Sequence, residues 1–265
     1  PKKYWDMYDR DKVFQLKYRG KPIGAPELAF HNSNELRGYT DIGSGKISNE
    51  KEKELWHGYY AATTYTDTQI GKVLGALEKL GMKDNTLIVL WGDHGYHLGE
   101  QGFWCKSSNF ELDARVPLIL SYPKSSKNKK VDAIVELVDV YPTIIDICNI
   151  QKQTPLSGGS LKGLMEGNLE NWPNYAFNQF GRPYSGGISG KGLTYMGYSV
   201  RSAQYRLTLW FNHESGEIDE RELYDMKEGI ELENISGNAE HKKLEEKLST
   251  LLKDFRNQKY LVKIK

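Results

Sequence analysis

The residues best suited to chemistry stand together in one stretch: Trp91 Gly92 Asp93 His94 Gly95 Tyr96 His97 Leu98 Gly99 Glu100 Gln101 Gly102 Phe103 Trp104 Cys105 Lys106. Asp93 and His94 are consecutive and stand one residue, Gly92, after the apolar run 87–91. A strand that stops there turns both side chains toward one point outside its carboxyl end, where open α/β sheets bind ligands. A carboxylate and an imidazole so placed suit a divalent cation. Glycines at 92, 95, 99 and 102 let the backbone turn tightly and approach a ligand. Taken alone, the same residues could be a plain turn with His94 hydrogen-bonded and Lys106 a solvated surface cation.

Residues 1–50 mix aromatic and charged groups with turn formers (Gly20 Lys21 Pro22, Gly24 Ala25 Pro26, Gly43 Ser44 Gly45) and read as an ordered loop region. From Asn49, residues of one face recur at steps of three or four through Leu55, Tyr59, Ala62, Tyr65 or Thr66, Ile70, Val73, Leu77 and Leu80. Asn49 and Glu52 stand as a capping pair, and the spacing predicts a long amphipathic helix ending at Gly81. Residues 86–91 form an apolar run without polar alternation, as in a parallel strand covered on both faces, and 117–122 form a second. The Lys-rich stretch 124–130 reads as a solvated loop, and Asp139 caps a helix with Pro142 in its first turn. Helix, strand, loop, strand, helix is an α/β signature.

Gly, Pro, Ser and Asn dominate 151–173 and set a boundary between 1–172 and 173–265. Beyond it, alternation at 195–201 and 205–211 and the segment 222–225 predict a small antiparallel sheet. Leu244, Leu248, Leu251, Leu252 and Phe255 predict a terminal helix packed on it.

The composition narrows the function. Lys and Arg total 36 against 35 Asp and Glu, a net charge of +1, so no excess charge draws the chain to nucleic acid. No run approaches the roughly 18 apolar residues of a membrane span. Two cysteines, Cys105 and Cys148, make neither a disulfide framework nor a metal spacing. The chain opens at Pro1 without an initiator Met, as if entered in its middle.

The pattern Asp-His-Gly-x-x-Leu-Gly-Glu-x-Gly at 93–102, Lys106 four residues on, and Arg115 Val116 Pro117 Leu118 closely resemble the sulfatase family of the alkaline phosphatase superfamily. The likeness is greatest to its iduronate-2-sulfatase branch and bacterial relatives. It continues in Tyr59 Ala61 Ala62 Thr64 Tyr65 Asp67 Thr68 Gln69 Gly71, in Val135 Glu136 Leu137 Val138 Asp139 Val140 Tyr141 Pro142 Thr143, and in Met196 Gly197 Tyr198 Ser199 Val200 Arg201, Tyr205 Arg206 and Glu222 Leu223 Tyr224 Asp225. The resemblance implies an alkaline-phosphatase-like, mostly parallel sheet flanked by helices, with a C-terminal subdomain of antiparallel strands and a helix.

It also implies calcium, with magnesium the lesser alternative, bound partly by Asp93 and His94, and a formylglycine nucleophile. Lys106 matches a family lysine that contacts the sulfate, and a fixed cation there would stabilise charge on the leaving ester oxygen. Tyr96, His97, Trp104 and Ser107 would line the sugar pocket or serve as packing. Arg182, in Asn178 Gln179 Phe180 Gly181 Arg182 Pro183, would pair with a uronate carboxylate or tie the subdomain to the main sheet.

The 265 residues contain no Cys-x-Pro-x-Arg or Ser-x-Pro-x-Arg. The resemblance therefore places the nucleophile and the early acidic ligands in an N-terminal half or partner chain, so the expectation is the C-terminal half of a sulfatase, inactive alone. The expected substrate is a sulfated carbohydrate, and family habit points to a periplasmic, secreted or lysosomal setting. Phosphonate or phosphodiester hydrolysis and non-catalytic carbohydrate binding are the competing readings.

Overall fold

In the computed structural model, which describes residues 1–123, 130–151 and 155–257, contacts divide the chain into two units. One holds 1–21, 31–106 and 116–123; the other holds 22–30, 107–115 and the described part of 124–265. The second unit thus takes in segments well before residue 173. The solvated-loop expectation at 124–130 lies, apart from exposed Lys130, outside the described residues.

The first unit is framed by a four-residue helix, α1 (Asn34–Arg37), and a 31-residue helix, α2 (Asn49–Lys79). The N-cap of α2 is Ser48, whose hydroxyl accepts the Lys51 amide at 3.2 Å, and not Asn49. Ser48 is extended just before the first turn, so its short side chain reaches an amide left without an intrahelical partner. Glu52 instead pairs with Arg19 at 2.5 Å. The helix stops where Gly81 turns left-handed at φ 67.

The buried side of α2 carries Trp56, His57 and Ala61. Trp56 packs with Leu36, Trp104 and Cys105, and its Nε1 donates to the Leu98 carbonyl at 2.6 Å. Strand β1 (Ile88–Trp91) follows, then the two-residue strands β2 (His97–Leu98) and β3 (Trp104–Cys105), then β4 (Leu118–Ser121). The β2–β3 pair is antiparallel, with His97 opposite Cys105.

The α/β class holds, but β1 does not pair as expected. Its partner among the described strands is β4, and that pairing is antiparallel, with Ile88 opposite Ser121 and Trp91 opposite Leu118. Nor is β1 covered on both faces, because Leu90 and Trp91 are exposed, as are Ile119 on β4, Val73 on α2 and Leu80 just past its end. An unbroken apolar run specifies burial demand but not the direction of the neighbouring strand.

The second unit contains α3 (Val140–Ile147) and a four-stranded antiparallel sheet of β5 (Ala176–Arg182), β6 (Tyr195–Arg201), β7 (Tyr205–Asn212) and β8 (Ile218–Asp225), in that order. The helix α4 (Lys242–Arg256) closes it. Asp139 precedes α3 but does not cap it by its side chain. Its carboxylate instead accepts the amides of Glu136 and Gly159 at 2.8 and 2.9 Å.

One face of the sheet meets α4 through Val200, Leu207, Leu209, Phe211, Leu223, Leu248 and Leu252, all nearly solvent-free. Segment 107–115 packs where Gly197 must lack a side chain: a Cβ there would stand 2.4 Å from Asn109 Nδ2 and 2.8 Å from Trp210. The sheet is held to that segment by Arg206, which meets Glu111 at 2.5 Å.

Candidate active site

Strand β1 delivers the first pair of candidate residues. Gly92 donates its amide to the Pro117 carbonyl at 3.2 Å, which ends the pairing with β4, and the chain turns at Asp93. Asp93 Oδ1 accepts the His94 amide at 3.0 Å, an arrangement that fixes the carboxylate against its own backbone. His94 Nδ1 lies 2.8 Å from the Gly95 carbonyl. A carbonyl can only accept, so Nδ1 carries the proton there, the tautomer whose neutral form has its lone pair on Nε2.

That Nε2 stands 3.7 Å from Asp93 Oδ2, and the side chains are 39% and 85% exposed. Two ligands at a right angle on a calcium-sized ion are separated by about 3.5 Å, given bonds of roughly 2.3–2.6 Å. The pair therefore fits as two adjacent ligands of one cation. It is not a complete site, because no group of three or more His, Cys, Asp or Glu placed to hold a metal occurs among the described residues. Calcium takes about six to eight donors, so the remaining ligands would have to come from elsewhere.

The hairpin after the pair is wound by backbone handedness. Gly99 has φ 107, and a Cβ on it would stand 2.9 Å from Leu16 Cδ2 and 3.1 Å from Trp104. Gln101, Cys105 and Ser107 are also left-handed, at φ 55, 67 and 92. Non-glycine residues seldom adopt this region, and they persist where surrounding contacts over-determine them. The contacts are present: Gln101 donates its amide to the Tyr18 carbonyl at 2.5 Å, and Glu100 accepts the Leu98 amide at 2.7 Å.

The hairpin's side chains divide into two sets. His97 is fully buried, with Nε2 3.2 Å from Gln101 Oε1 and its ring tilted against Phe103. Trp104 is buried among Leu36, Trp56 and Cys105. Both residues are packing within the first unit. Tyr96 is half-buried, stacks on Tyr59 at 5.4 Å between centroids, and donates its hydroxyl to Cys105 Sγ at 3.2 Å. Burial pushes its phenol above the ordinary range, and the Cys105 contact adds to the shift. Lys106, at the end of β3, places Nζ 2.6 Å from both carboxylate oxygens of Glu35. Glu35 sits on α1 inside a stretch whose sequence reads as loop, and nothing in its spacing marks it.

Ser107 and Arg182 belong to the second unit. Ser107 is buried and passes its carbonyl to Arg182 Nη1 at 3.2 Å. Arg182, 3% exposed, also donates to the carbonyls of Leu28 at 3.1 Å, Gly181 at 3.1 Å and Ala29 at 2.6 Å, and its guanidinium lies over the Phe180 and Trp210 rings. Burial lowers its pKa to about 10, so it remains charged at neutral pH. These donors go to backbone carbonyls of the arginine's own unit, a structural use that sets the guanidinium apart from the expected uronate pairing and keeps its tie within that unit.

A family model described as Sulfatase matches residues 26–150, and one described as N-sulphoglucosamine sulphohydrolase, C-terminal, matches residues 99–258. The chain is 31% identical over 239 residues to an N-acetylglucosamine-6-O-sulfatase of Bacteroides thetaiotaomicron, covering 88% of this chain and 40% of that protein. It is 25% identical over 307 residues to an iduronate 2-sulfatase of Mus musculus, covering 91% and 56%.

Among solved structures, one in complex with its substrate D-glucosamine-2-N,6-O-disulfate superposes with TM-score 0.66 at 30% identity, over 87% of this chain and 46% of that one. A phosphonate monoester hydrolase from Silicibacter pomeroyi shares the fold, with TM-score 0.79 at 23% identity over 97% and 53%. The chain thus spans 40% and 56% of these two curated relatives. With a family model matched across more than half its length, the chain belongs to the sulfatase family of the alkaline-phosphatase-like superfamily.

Proposed function

We propose that the protein takes part in hydrolysing sulfate esters of a sulfated sugar, with Asp93, His94 and Lys106 as its contribution to the reacting centre. The observation that carries this reading is the placement of a carboxylate oxygen, an imidazole lone pair and an ammonium on one strand-and-hairpin segment of a single unit, within a sulfatase-family chain. Relatives named for sulfated glucosamine and iduronate support a sugar substrate.

In this reading Asp93 and His94 hold a divalent cation, calcium in preference to magnesium. When bound, such an ion supplies Lewis-acid polarisation of the sulfate. Asp93 brings the negative charge that keeps the ion in place, and His94 brings Nε2 because Gly95 fixes the proton on Nδ1. Lys106 donates to a sulfate oxygen and offsets charge on the ester oxygen as the alcohol departs. The nucleophile, a formylglycine by family resemblance, and the remaining ligands come from the rest of the polypeptide or from a partner chain, so residues 1–265 alone turn nothing over.

The test is turnover of 6-O-sulfated glucosamine by the full-length gene product, with a phosphonate monoester assayed beside it. Release of inorganic sulfate that Lys106→Ala reduces at least about a hundred-fold supports the reading. Preference for the phosphonate overturns it.

A further inference from the structure

The Lys106 ammonium stands against a carboxylate that nothing in the reading above uses. Nζ is 2.6 Å from Glu35 Oε1 and 2.6 Å from Oε2, with the two side chains 29% and 33% exposed. Each partner is fixed from its own side. Just before α1, Ser33 is left-handed at φ 58 and its hydroxyl accepts the Trp104 amide at 3.0 Å. Leu36 is buried against Trp104 and Cys105. Glu35 therefore lies between two attachments to β3, and the residue after β3 is Lys106. The lysine's backbone is set in turn by left-handed Cys105 before it and left-handed Ser107 after it.

A surface lysine would gain little from such an arrangement. A flexible ammonium in water pairs weakly, and its partner needs no anchoring. Here two short bonds, partial burial and a helix tied to the neighbouring strand fix one geometry for a charge-assisted contact. An ammonium has three donors, so an anion arriving at Lys106 must share them with Glu35.

We infer that Glu35 is a positioning residue for Lys106: its carboxylate fixes where the ammonium stands and competes with an incoming sulfate for it, setting both the placement and the available charge of that lysine. The inference rests on the sulfate-contact role proposed for Lys106. It adds a residue of α1, far from the Asp-His-Gly segment in sequence, to the machinery that handles the anion.

The experiment is a double-mutant cycle in the full-length gene product, reading kcat and KM for 6-O-sulfated glucosamine, the Kd for inorganic sulfate by calorimetry, and Tm. Glu35→Gln keeps the size and an acceptor but removes the competing charge. It should lower kcat about ten-fold while inorganic sulfate binds several-fold tighter, a split that a merely structural ion pair would not produce. In a Lys106→Ala background the same substitution should change neither quantity.

Unchanged kcat and Kd in Glu35→Gln, or the same changes persisting without Lys106, would overturn the inference and leave Glu35 as a tie for α1. If Lys106→Ala itself has no kinetic effect, the sulfate-contact reading falls and the role of Glu35 falls with it. Should Glu35→Gln fail to fold, Glu35→Asp carries the test, because it keeps the charge but withdraws it by one methylene. A kcat loss that disappears in the Lys106→Ala background supports the inference, and an additive loss overturns it.

Discussion

Arg206 Nη2 meets Glu111 Oε2 at 2.5 Å with both side chains almost sealed from solvent, at 2% and 5% exposure. The same guanidinium places Nε 3.0 Å from Glu231, which is wholly buried, and Arg201 reaches Glu111 from the other side at 3.0 Å. Burial would push the Glu111 carboxyl up, but the Arg206 and Arg201 guanidiniums outweigh it and hold it below the usual range. Removing Arg206 takes a buried cation from both carboxylates and leaves Glu111 to Arg201 and, at 3.7 Å, Arg115. Arg206→Met is expected to cost about 3–5 kcal/mol in denaturant unfolding, and Arg206→Lys less, since it keeps the charge but loses the fork.

Arg182→Ala should act on architecture. Four carbonyl contacts and a buried cation are lost together, for an expected cost on the order of 3 kcal/mol. Any fall in kcat/KM should be equal on a sulfated uronate and a sulfated neutral sugar, and should follow the fall in Tm. A loss confined to the uronate, with Tm unchanged, would restore the substrate-carboxylate role.

His97→Ala and Asp93→Ala should separate packing from chemistry. The first opens a cavity between Gln101 and Phe103 and is expected to cost about 2–4 kcal/mol with KM unaltered. The second removes an exposed carboxylate, so Tm should barely move while metal content by elemental analysis, and turnover with it, collapses.

Stability should fall as pH rises from about 5 to 8. Burial lifts Glu222 from an ordinary 4.5 to about 7, against the opposing donors Tyr224 and Trp210, and burial likewise lifts Glu136 to about 7. In this interval the unfolded chain has released protons that the folded one retains, so each group's stabilisation is complete below about 4.5 and is lost as pH passes through 7. The loss is roughly 3 kcal/mol per group. Melting curves of Glu222→Gln across this range should show a shallower slope; an unchanged slope would rule Glu222 out as the source.

Much of the second unit was legible because its periods are simple. Tyr195–Arg201 and Tyr205–Asn212 alternate, and the leucines of 244–252 repeat at helical spacing, so the strands β6 and β7 and the helix α4 follow from pattern alone. Strand β5 was hidden because Asn178, Gln179, Gly181 and Arg182 read as polar or turn-forming. Their partners are elsewhere in the chain: Asn178 hydrogen-bonds Asn109 and Arg206. The antiparallel pairing of β1 with β4 was hidden for another reason, since apolar content sets burial and leaves direction open.

At the candidate site, Asp93 and His94 were singled out by type and position and Lys106 by the resemblance, whereas the inward course of His97 and Trp104 depends on a hairpin whose handedness composition does not disclose. Glu35 lay out of reach because its significance comes from a contact 71 residues along the chain.

The left-handed residues on either side of Lys106 bear on when its freedom is lost. A long side chain immobilised only on meeting its ligand gives up about 1–2 kcal/mol of rotamer entropy at that moment. With Cys105 and Ser107 wound before any anion arrives, and Glu35 already gripping the ammonium, that entropy is surrendered during folding. An anion that shares this ammonium with Glu35, as proposed for a sulfate ester, then meets a charge whose placement costs little further side-chain entropy.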